Sequence, residues 1–216
     1  MNEDSDDEVG DASEEEDSGD DCESEDGSEG GEEVTNKWGL KRLCPFNVLK
    51  SFHCVTGFPP DFLHDILEGV VAEDLLAIVR ALSNKGWFSL ETYNSKLKDF
   101  GWSSYEVADK PQQVPLSRKV LKLKGKAVSQ WTHLRNWPLI VKQFILDEDD
   151  DVLSLGLKLH EVTERITAPD YFEYEIQLLH ESIIDYLEMR KMIRAEFPDI
   201  FRKPKPKHHF MRKQSK

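Results

Sequence analysis

Asp61 and His64 are the two residues whose types and spacing are best suited to chemistry. They lie in the segment GFPPDFLHDILEGVV, which also supplies Asp65 and Glu68. On a helix that begins near Pro60, these four side chains fall at i, i+3, i+4 and i+7 and therefore share one face. A carboxylate placed where a strand turns into a helix is a common ligand for the metal ions of phosphoryl-transfer sites.

The same segment also fits an ordinary helix start. Proline suits the first helical turn, and an aspartate there complements the partial positive charge of the helix N-terminus. A polar stripe opposite the apolar side chains is what an amphipathic helix presents to water. Spacing alone therefore leaves two interpretations of Asp61 and His64 open, a metal site and a capped helix.

Helices must position this segment, because most of the chain after it has helical patterning. Apolar residues recur there at three- and four-residue steps, which predicts amphipathic helices. A strand is predicted before the segment, near 50–56, from an apolar run closed by Gly57. The predicted helices span about 60–82, 89–101, 125–146, 147–167 and 171–197, with an irregular stretch over 102–122.

The first helix is predicted to break near Gly69, and the helix over 125–146 to kink or break at Pro138. Gly69 and Pro138 lie inside stretches of apolar periodicity, and both residue types disfavour a helix interior. Gly86 instead predicts a helix end of the C-cap type. The apolar side chains expected in the core include Leu63 in the first helix, Trp131, Trp137, Leu139 and Phe144 around Pro138, and Phe172 and Ile176 in the last helix.

The first 34 residues are strongly acidic and differ from the rest of the chain. They hold 18 of the 42 Asp and Glu residues and no Lys or Arg, and the net charge of the whole chain is −14. Such a segment cannot bury enough apolar surface to offset its chain entropy. We predict a disordered acidic leader over 1–36, whose partners would be basic nuclear proteins, and a folded body over 37–210.

Cysteine usage and hydropathy restrict the compartment. The three cysteines, Cys22, Cys44 and Cys54, form no CxxC pair, which argues for a reducing compartment and against a zinc finger. The sequence shows no secretory signal and no apolar run of about 18 residues. We therefore predict a nuclear protein, with the cytoplasm as the alternative, and no membrane partner.

A basic tail is predicted over 202–216. It reads RKPKPKHHFMRKQSK, and clustered Lys and Arg suit contacts with nucleic-acid phosphates or a nuclear import signal. A solvated tail without a partner is the alternative. The residues predicted to bind DNA are Arg202, Lys203, Lys205, Lys207, Arg212 and Lys213.

Three blocks of the sequence resemble a known family. FHCVTGFPPDFLHDILEGVV, LKGKAVSQWTHLRNWPLIV and FPDIFRKPKPKHHFM occur in the order and rough spacing found in eukaryotic cut-and-paste DDE transposases. They are most similar to the CACTA (EnSpm)-like type. The resemblance implies an RNase H-like catalytic domain, whose second acid lies in a D-x-x-H motif before a large helical insertion. Asp61 and His64 match that motif, Asp61 would bind Mg²⁺ or Mn²⁺, and the insertion would cover about 73–197.

The resemblance covers roughly residues 39–210 and implies a mainly α fold. This would be the helical insertion domain of an incomplete RNase H-like (α/β) catalytic domain, with the PKHHF block returning towards its sheet. The family's first acid lies on an earlier strand and its last beyond PKHHF, and neither has a match here. One carboxylate cannot fix two metal ions, so we expect no cofactor and no catalysis by the chain alone.

Three functions follow as hypotheses. The first is a transposase-derived, non-catalytic module that binds DNA or protein in the nucleus. The second is a truncated form of an active DDE transposase, which would perform metal-dependent DNA cleavage and strand transfer. The third is a helical protein-interaction module with no role in nucleic-acid binding. DNA affinity at moderate salt separates the first hypothesis from the third.

Overall fold

The computed structural model describes residues 49–50 and 61–211, without the side chains of His209 and Phe210. The predicted acidic leader therefore lies outside the described residues. So do Arg212 and Lys213 of the basic tail, and all of the predicted strand except Lys50, which lies in a turn.

The chain divides into two units, 1–57 and 58–216. The described residues of the second unit form helices and no strand, which confirms that this part of the chain is mainly α. The predicted sheet is not among them and stays a prediction. The helices are α1 (Phe62–Val71), α2 (Ala72–Asn84), α3 (Leu90–Asp99), α4 (Ala127–Val141), α5 (Asp151–Ile166), α6 (Glu173–Glu196) and α7 (Pro206–Phe210), with 3₁₀ turns at Val107–Asp109 and Lys142–Phe144.

Helices α1 and α2 follow each other without a gap, and α1 is wound as a π-helix. This winding is rare and often found at functional sites. The predicted break at Gly69 is wrong, because the helix continues through this residue. A Cβ at Gly69 would lie 2.7 Å from Cδ of Lys207, and this flexible side chain would have to shift to admit it.

Of the kink or break predicted at Pro138, the break is wrong, since α4 continues through this residue to Val141. The chain tightens into a 3₁₀ turn only afterwards. One residue earlier, Trp137 is fully buried against α5. A Cβ on Gly156 of α5 would lie only 2.3 Å from the Trp137 ring. Glycine is therefore required for this close approach of α4 and α5.

The helix end predicted at Gly86 is confirmed. Its φ is +82°, a left-handed conformation that glycine adopts without steric cost. The Trp87 N–H then donates to the Leu82 carbonyl at 3.2 Å, which satisfies one of the free carbonyls at the end of α2.

The predicted core is confirmed in the middle of the helices and is wrong near their ends. Leu63 is exposed in the first turn of α1, and Leu139 is 61% exposed on the solvent face of α4. On α6, Phe172 is 68% exposed and Ile176 is also exposed, because the buried stripe begins only at Leu179. Trp131 and Phe144 are partly buried.

The helices pack around α1 and α2. Helix α4 packs against α1, α5 packs against α2, and α6 lies along α5. The PKHHF block was expected to return towards a sheet, but it forms α7, which packs against α1. The three sequence blocks that carry the transposase resemblance therefore meet at α1. No helix of the described part has the length and apolar character needed to cross a membrane.

Candidate functional site

Asp61 caps the first helix. Its Oδ1 accepts hydrogen bonds from the N–H groups of Leu63 at 2.9 Å and His64 at 3.3 Å. These N–H groups have no partner within the helix, and aspartate is among the residues that satisfy them best. The Asp61 N–H in turn donates to Oδ2 of Asp65 at 3.2 Å. The capped-helix interpretation of this segment is therefore confirmed in its geometry.

The structure also brings the two predicted site residues together. His64 Nδ1 lies 2.5 Å from Asp61 Oδ2, and both side chains are more than half exposed. The hydrogen bond with His64 lowers the pKa of Asp61 from its ordinary value. The same bond raises the pKa of His64. The result is an exposed, hydrogen-bonded acid–imidazole pair at the start of a helix.

This pair does not fit a two-metal site. Both carboxylate oxygens of Asp61 already accept hydrogen bonds from within the helix start, and hard ions such as Mg²⁺ need several oxygen ligands. Over residues 61–211, no group of three or more His, Cys, Asp and Glu residues is arranged to hold a metal ion. The role of Asp61 as a metal ligand stays a prediction.

Glu68 contacts α4, which its spacing from Asp61 did not predict. Its Oε1 accepts the Ala127 N–H at 3.2 Å, at the start of α4. Helix α4 has no side-chain cap of its own, so Glu68 supplies the negative charge that a helix N-terminus favours. The polar stripe of α1 thus contacts a neighbouring helix as well as solvent.

The predicted DNA-binding residues fall into two groups. Arg202 and Lys203 are exposed. Lys205 forms an ion pair with Glu73, and Lys207 lies 3.3 Å from Asp65 while donating to the His64 carbonyl at 2.8 Å. Lys205 and Lys207 are therefore paired with carboxylates of α1 and α2.

Sequence reasoning missed a second basic segment, which precedes α4. The stretch SRKVLKLKGK contains five Lys or Arg residues and no acid. This composition was visible in the sequence, but the stretch was described only as irregular. All five are exposed, and no ion pair involving them is found in the described part of the chain. They are Arg118, Lys119, Lys122, Lys124 and Lys126.

Arg80 of α2 fixes this second segment in place. Its guanidinium donates to the carbonyls of Ser117 at 2.6 Å, Val120 at 2.8 Å and Pro115 at 3.1 Å. The Leu123 N–H also donates to the Ala72 carbonyl at 2.8 Å. Three carbonyls converging on one planar guanidinium define the loop conformation, so its basic side chains project from a fixed backbone.

Two adjoining clefts bring the two basic segments together. A cleft of about 580 Å³ is lined by Lys122 from the first segment and by Arg202, Lys205 and Lys207 from the second. A cleft of about 420 Å³ is lined by Arg118 and Arg202. The two clefts share Arg202 in their walls. Cations of two segments about 80 residues apart in sequence thus line one surface, which we call the basic surface. Acids also line it, among them Glu73, Glu91 and Glu196.

A buried charged cluster lies beneath this surface. Asp74 of α2 accepts from Arg190 of α6 through Nε at 2.7 Å and Nη2 at 2.9 Å. The Tyr186 hydroxyl donates to the same carboxylate, and His208 Nε2 lies 3.2 Å from it. All four side chains are buried. The cluster joins α2, α6 and α7, and sequence patterns did not reveal it.

The protonation of this cluster follows from its hydrogen bonds. His208 Nδ1 accepts from the Lys205 N–H at 3.1 Å, which places the imidazole proton on Nε2, facing Asp74. Burial by itself raises the pKa of Asp74, but the hydrogen bonds from His208 and Arg190 outweigh it and lower the pKa to about 2. Asp74 is therefore ionised near pH 7, and both of its oxygens accept hydrogen bonds from neighbouring side chains.

A second buried polar pair joins α3 and α4. The Tyr93 hydroxyl and His133 Nε2 are 2.8 Å apart. Burial lowers the pKa of His133 to about 3 and raises the pKa of Tyr93, so both remain neutral near pH 7. Neither residue lines the two clefts, which is consistent with a role in packing.

Comparison of the chain with protein-family models, with curated proteins and with solved structures finds no match. The resemblance to transposases therefore depends on the three sequence blocks alone.

Proposed function

We propose that this chain is a transposase-derived protein of the nucleus that binds nucleic acid through the phosphate backbone and does not cleave it on its own. One observation carries the proposal: exposed cations from two distant segments, Arg118 and Lys122 from the first and Arg202 from the second, line the same pair of clefts. Four more exposed cations lie in the same two segments, namely Lys119, Lys124, Lys126 and Lys203.

The charge distribution favours a polyanion as the partner. The acidic residues are concentrated in residues 1–34, and the rest of the chain holds 28 Lys and Arg against 24 Asp and Glu. The cations of the two basic segments that have no carboxylate partner in the described residues form a patch of positive charge. Such a patch attracts phosphates by long-range electrostatics and by release of condensed counterions. No base-reading element is required, since phosphate contacts position a protein on nucleic acid without reading its sequence.

Salt dependence of duplex DNA binding tests this proposal. A fluorescently labelled duplex is titrated with the full chain at several salt concentrations, and anisotropy gives the affinity. Each phosphate contact contributes about −0.9 to the slope of log K against log salt. Lys122→Glu, at a lysine that lines the larger cleft, should reduce the slope by about 0.9 and weaken binding about tenfold.

Lys142→Glu is the matched control for this experiment. Lys142 is equally an exposed lysine, but it follows the C-terminal end of α4, whereas Lys126 directly precedes its N-terminal end. The two lysines are 16 positions apart, which corresponds to about 24 Å of helix. Equal weakening by both variants would indicate a general charge effect and would reject this surface. A wild-type affinity that does not change with salt would reject nucleic-acid binding itself.

The non-catalytic part of the proposal is supported by the use of Asp61. Its oxygens accept hydrogen bonds from Leu63 and His64, and a metal ion would have to displace them. We expect no nicking of supercoiled DNA by the purified chain with Mn²⁺. Nicking that is lost in Asp61→Ala would instead establish the active transposase hypothesis.

A protein-interaction module is a second candidate, favoured by the start of α6. Phe172 and Tyr174 stack with their ring centroids 5.9 Å apart, and both are exposed, as are Ile176 and Leu178. Exposed apolar clusters of this kind mark interaction sites. A partner that docks here would lose affinity in Phe172→Ser/Tyr174→Ser, and DNA binding by that variant would be unchanged.

A further inference from the structure

The end of the α6–α7 connection and the first turn of α7 lie across the carboxylates of α1 and α2. We call residues 202–208 the strap. Its Lys205 pairs with Glu73, and its Lys207 pairs with Asp65 at 3.3 Å. Both lysines and both carboxylates line the 580 Å³ cleft, together with Lys122 and Arg202, which have no such partner in the described residues.

The strap is fixed at both ends independently of these two lysines. Arg190 Nη1 donates to the Arg202 carbonyl at 3.1 Å, and His208 is buried against Asp74. The lysine side chains between these anchors are about 40% exposed, whereas Asp65 and Glu73 are 19% and 13% exposed. The lysines can therefore rotate towards an approaching anion while the backbone of the strap stays in place.

We propose that Asp65 and Glu73 are internal competitors of nucleic-acid phosphates for Lys205 and Lys207. This inference depends on the proposed function, because it describes regulation of the same basic surface. In the free chain the two lysines are neutralised by carboxylates and contribute nothing to phosphate binding. When the carboxylates lose their charge, both lysines join Lys122 and Arg202 in the cleft and strengthen the attraction for a polyanion.

The test measures duplex DNA binding by the full chain and by Asp65→Asn/Glu73→Gln, again as a function of salt. Two further phosphate contacts should steepen the slope of log K against log salt by about 1.8. The variant should also bind more tightly than wild type at every salt concentration. Adding Lys205→Met/Lys207→Met to this variant should remove the gain, whereas the same two changes in the wild type should leave the slope nearly unchanged.

Asp147→Asn/Glu148→Gln is the control for the change in net charge. These exposed acids lie in the turn before α5, and neither pairs with a lysine in the described part of the chain. Their neutralisation should leave the slope unchanged. Circular dichroism and urea unfolding establish that each variant is folded as the wild type is.

The outcomes separate this inference from the proposed function. Wild-type binding with an unchanged slope in Asp65→Asn/Glu73→Gln would overturn the competition and leave nucleic-acid binding standing. Binding by this variant alone, without binding by the wild type, would support complete autoinhibition. No binding by either protein at low salt would overturn both the inference and the proposed function.

Discussion

The exposed pair Asp61–His64 and the buried cluster around Asp74 both contain an aspartate beside a histidine, but the two regions have different structural roles. In the exposed pair, an acid and an imidazole three residues apart meet at the start of α1. In the buried cluster, a carboxylate of α2 meets an imidazole 134 residues later, and Arg190 and Tyr186 complete its hydrogen bonds. A motif that is conspicuous in sequence thus organises one helix turn, while a cluster that leaves no local pattern joins three helices.

The difference has a physical origin in solvation. Water screens the charges of an exposed pair, so such pairs contribute little to stability. A buried carboxylate loses its hydration and must be compensated by nearby donors, and removal of its charge leaves the partner cation unpaired. The two regions should therefore respond very differently to the same substitution.

The largest expected effect is that of Asp74→Asn. It keeps the shape of the side chain and leaves the guanidinium of Arg190 buried without a counter-charge. We expect the free energy of unfolding to fall by about 3–5 kcal/mol, measured by urea unfolding. Asp61→Asn is the matched substitution in the exposed pair and should have a much smaller effect. Equal losses in the two variants would show that burial does not distinguish the two regions.

Tyr186→Phe is expected to have an intermediate effect. It removes one hydroxyl donor from Asp74, and the carboxylate keeps its bonds from Arg190 and His208. The loss in unfolding free energy should be about 1.5 kcal/mol, as for a hydrogen bond to a charged group. Tyr174→Phe, at an exposed tyrosine, should leave stability unchanged, and a similar loss there would contradict the role given to the buried hydroxyl.

The pH dependence of stability sharpens the comparison further. Asp74 has a pKa of about 2 in the folded chain and an ordinary value of 3.8, so its contribution is complete above about pH 4. It is lost as the pH falls through about 2. The difference in unfolding free energy between wild type and Asp74→Asn should therefore shrink between pH 5 and pH 2.5. A difference that stays constant over this range would contradict the lowered pKa.

The smallest effect is expected in the exposed pair. Asparagine also caps helices, so Asp61→Asn should preserve α1 and remove only the charge beside His64. The pKa of His64, followed by NMR of its ring, should fall towards its ordinary value. The raised pKa of His64 means that its small contribution is present below pH 6.5 and is lost as the pH rises through the folded value. An unchanged titration would show that the two side chains do not interact in solution.

The sequence predicted the helices well, because their apolar periodicity is local. Its errors were local as well. The helices continue through Gly69 and Pro138, because tertiary structure can outweigh the low helix propensity of single residues. Leu139 and Phe172 are apolar residues that patterning could not distinguish from core residues.

The candidate site was predictable only in its local parts. The contact between Asp61 and His64 follows from their spacing on a helix. The ion pairs of Lys205 and Lys207 with α1 and α2 join residues more than 130 positions apart, and a single sequence carries no signal for such pairing. The basic segment over 118–126 was visible in composition, but its place beside the strap depends on Arg80 and on the fold.

Hydrogen exchange of the full chain with and without duplex DNA tests the central claim most directly, because it locates the binding surface. Binding at the two clefts should protect backbone amides in the loop over 115–126 and in the strap. It should leave the start of α6, over 171–178, exchanging as in the free chain. Protection at 171–178, or protection nowhere, would contradict the assignment of the basic surface to nucleic-acid binding.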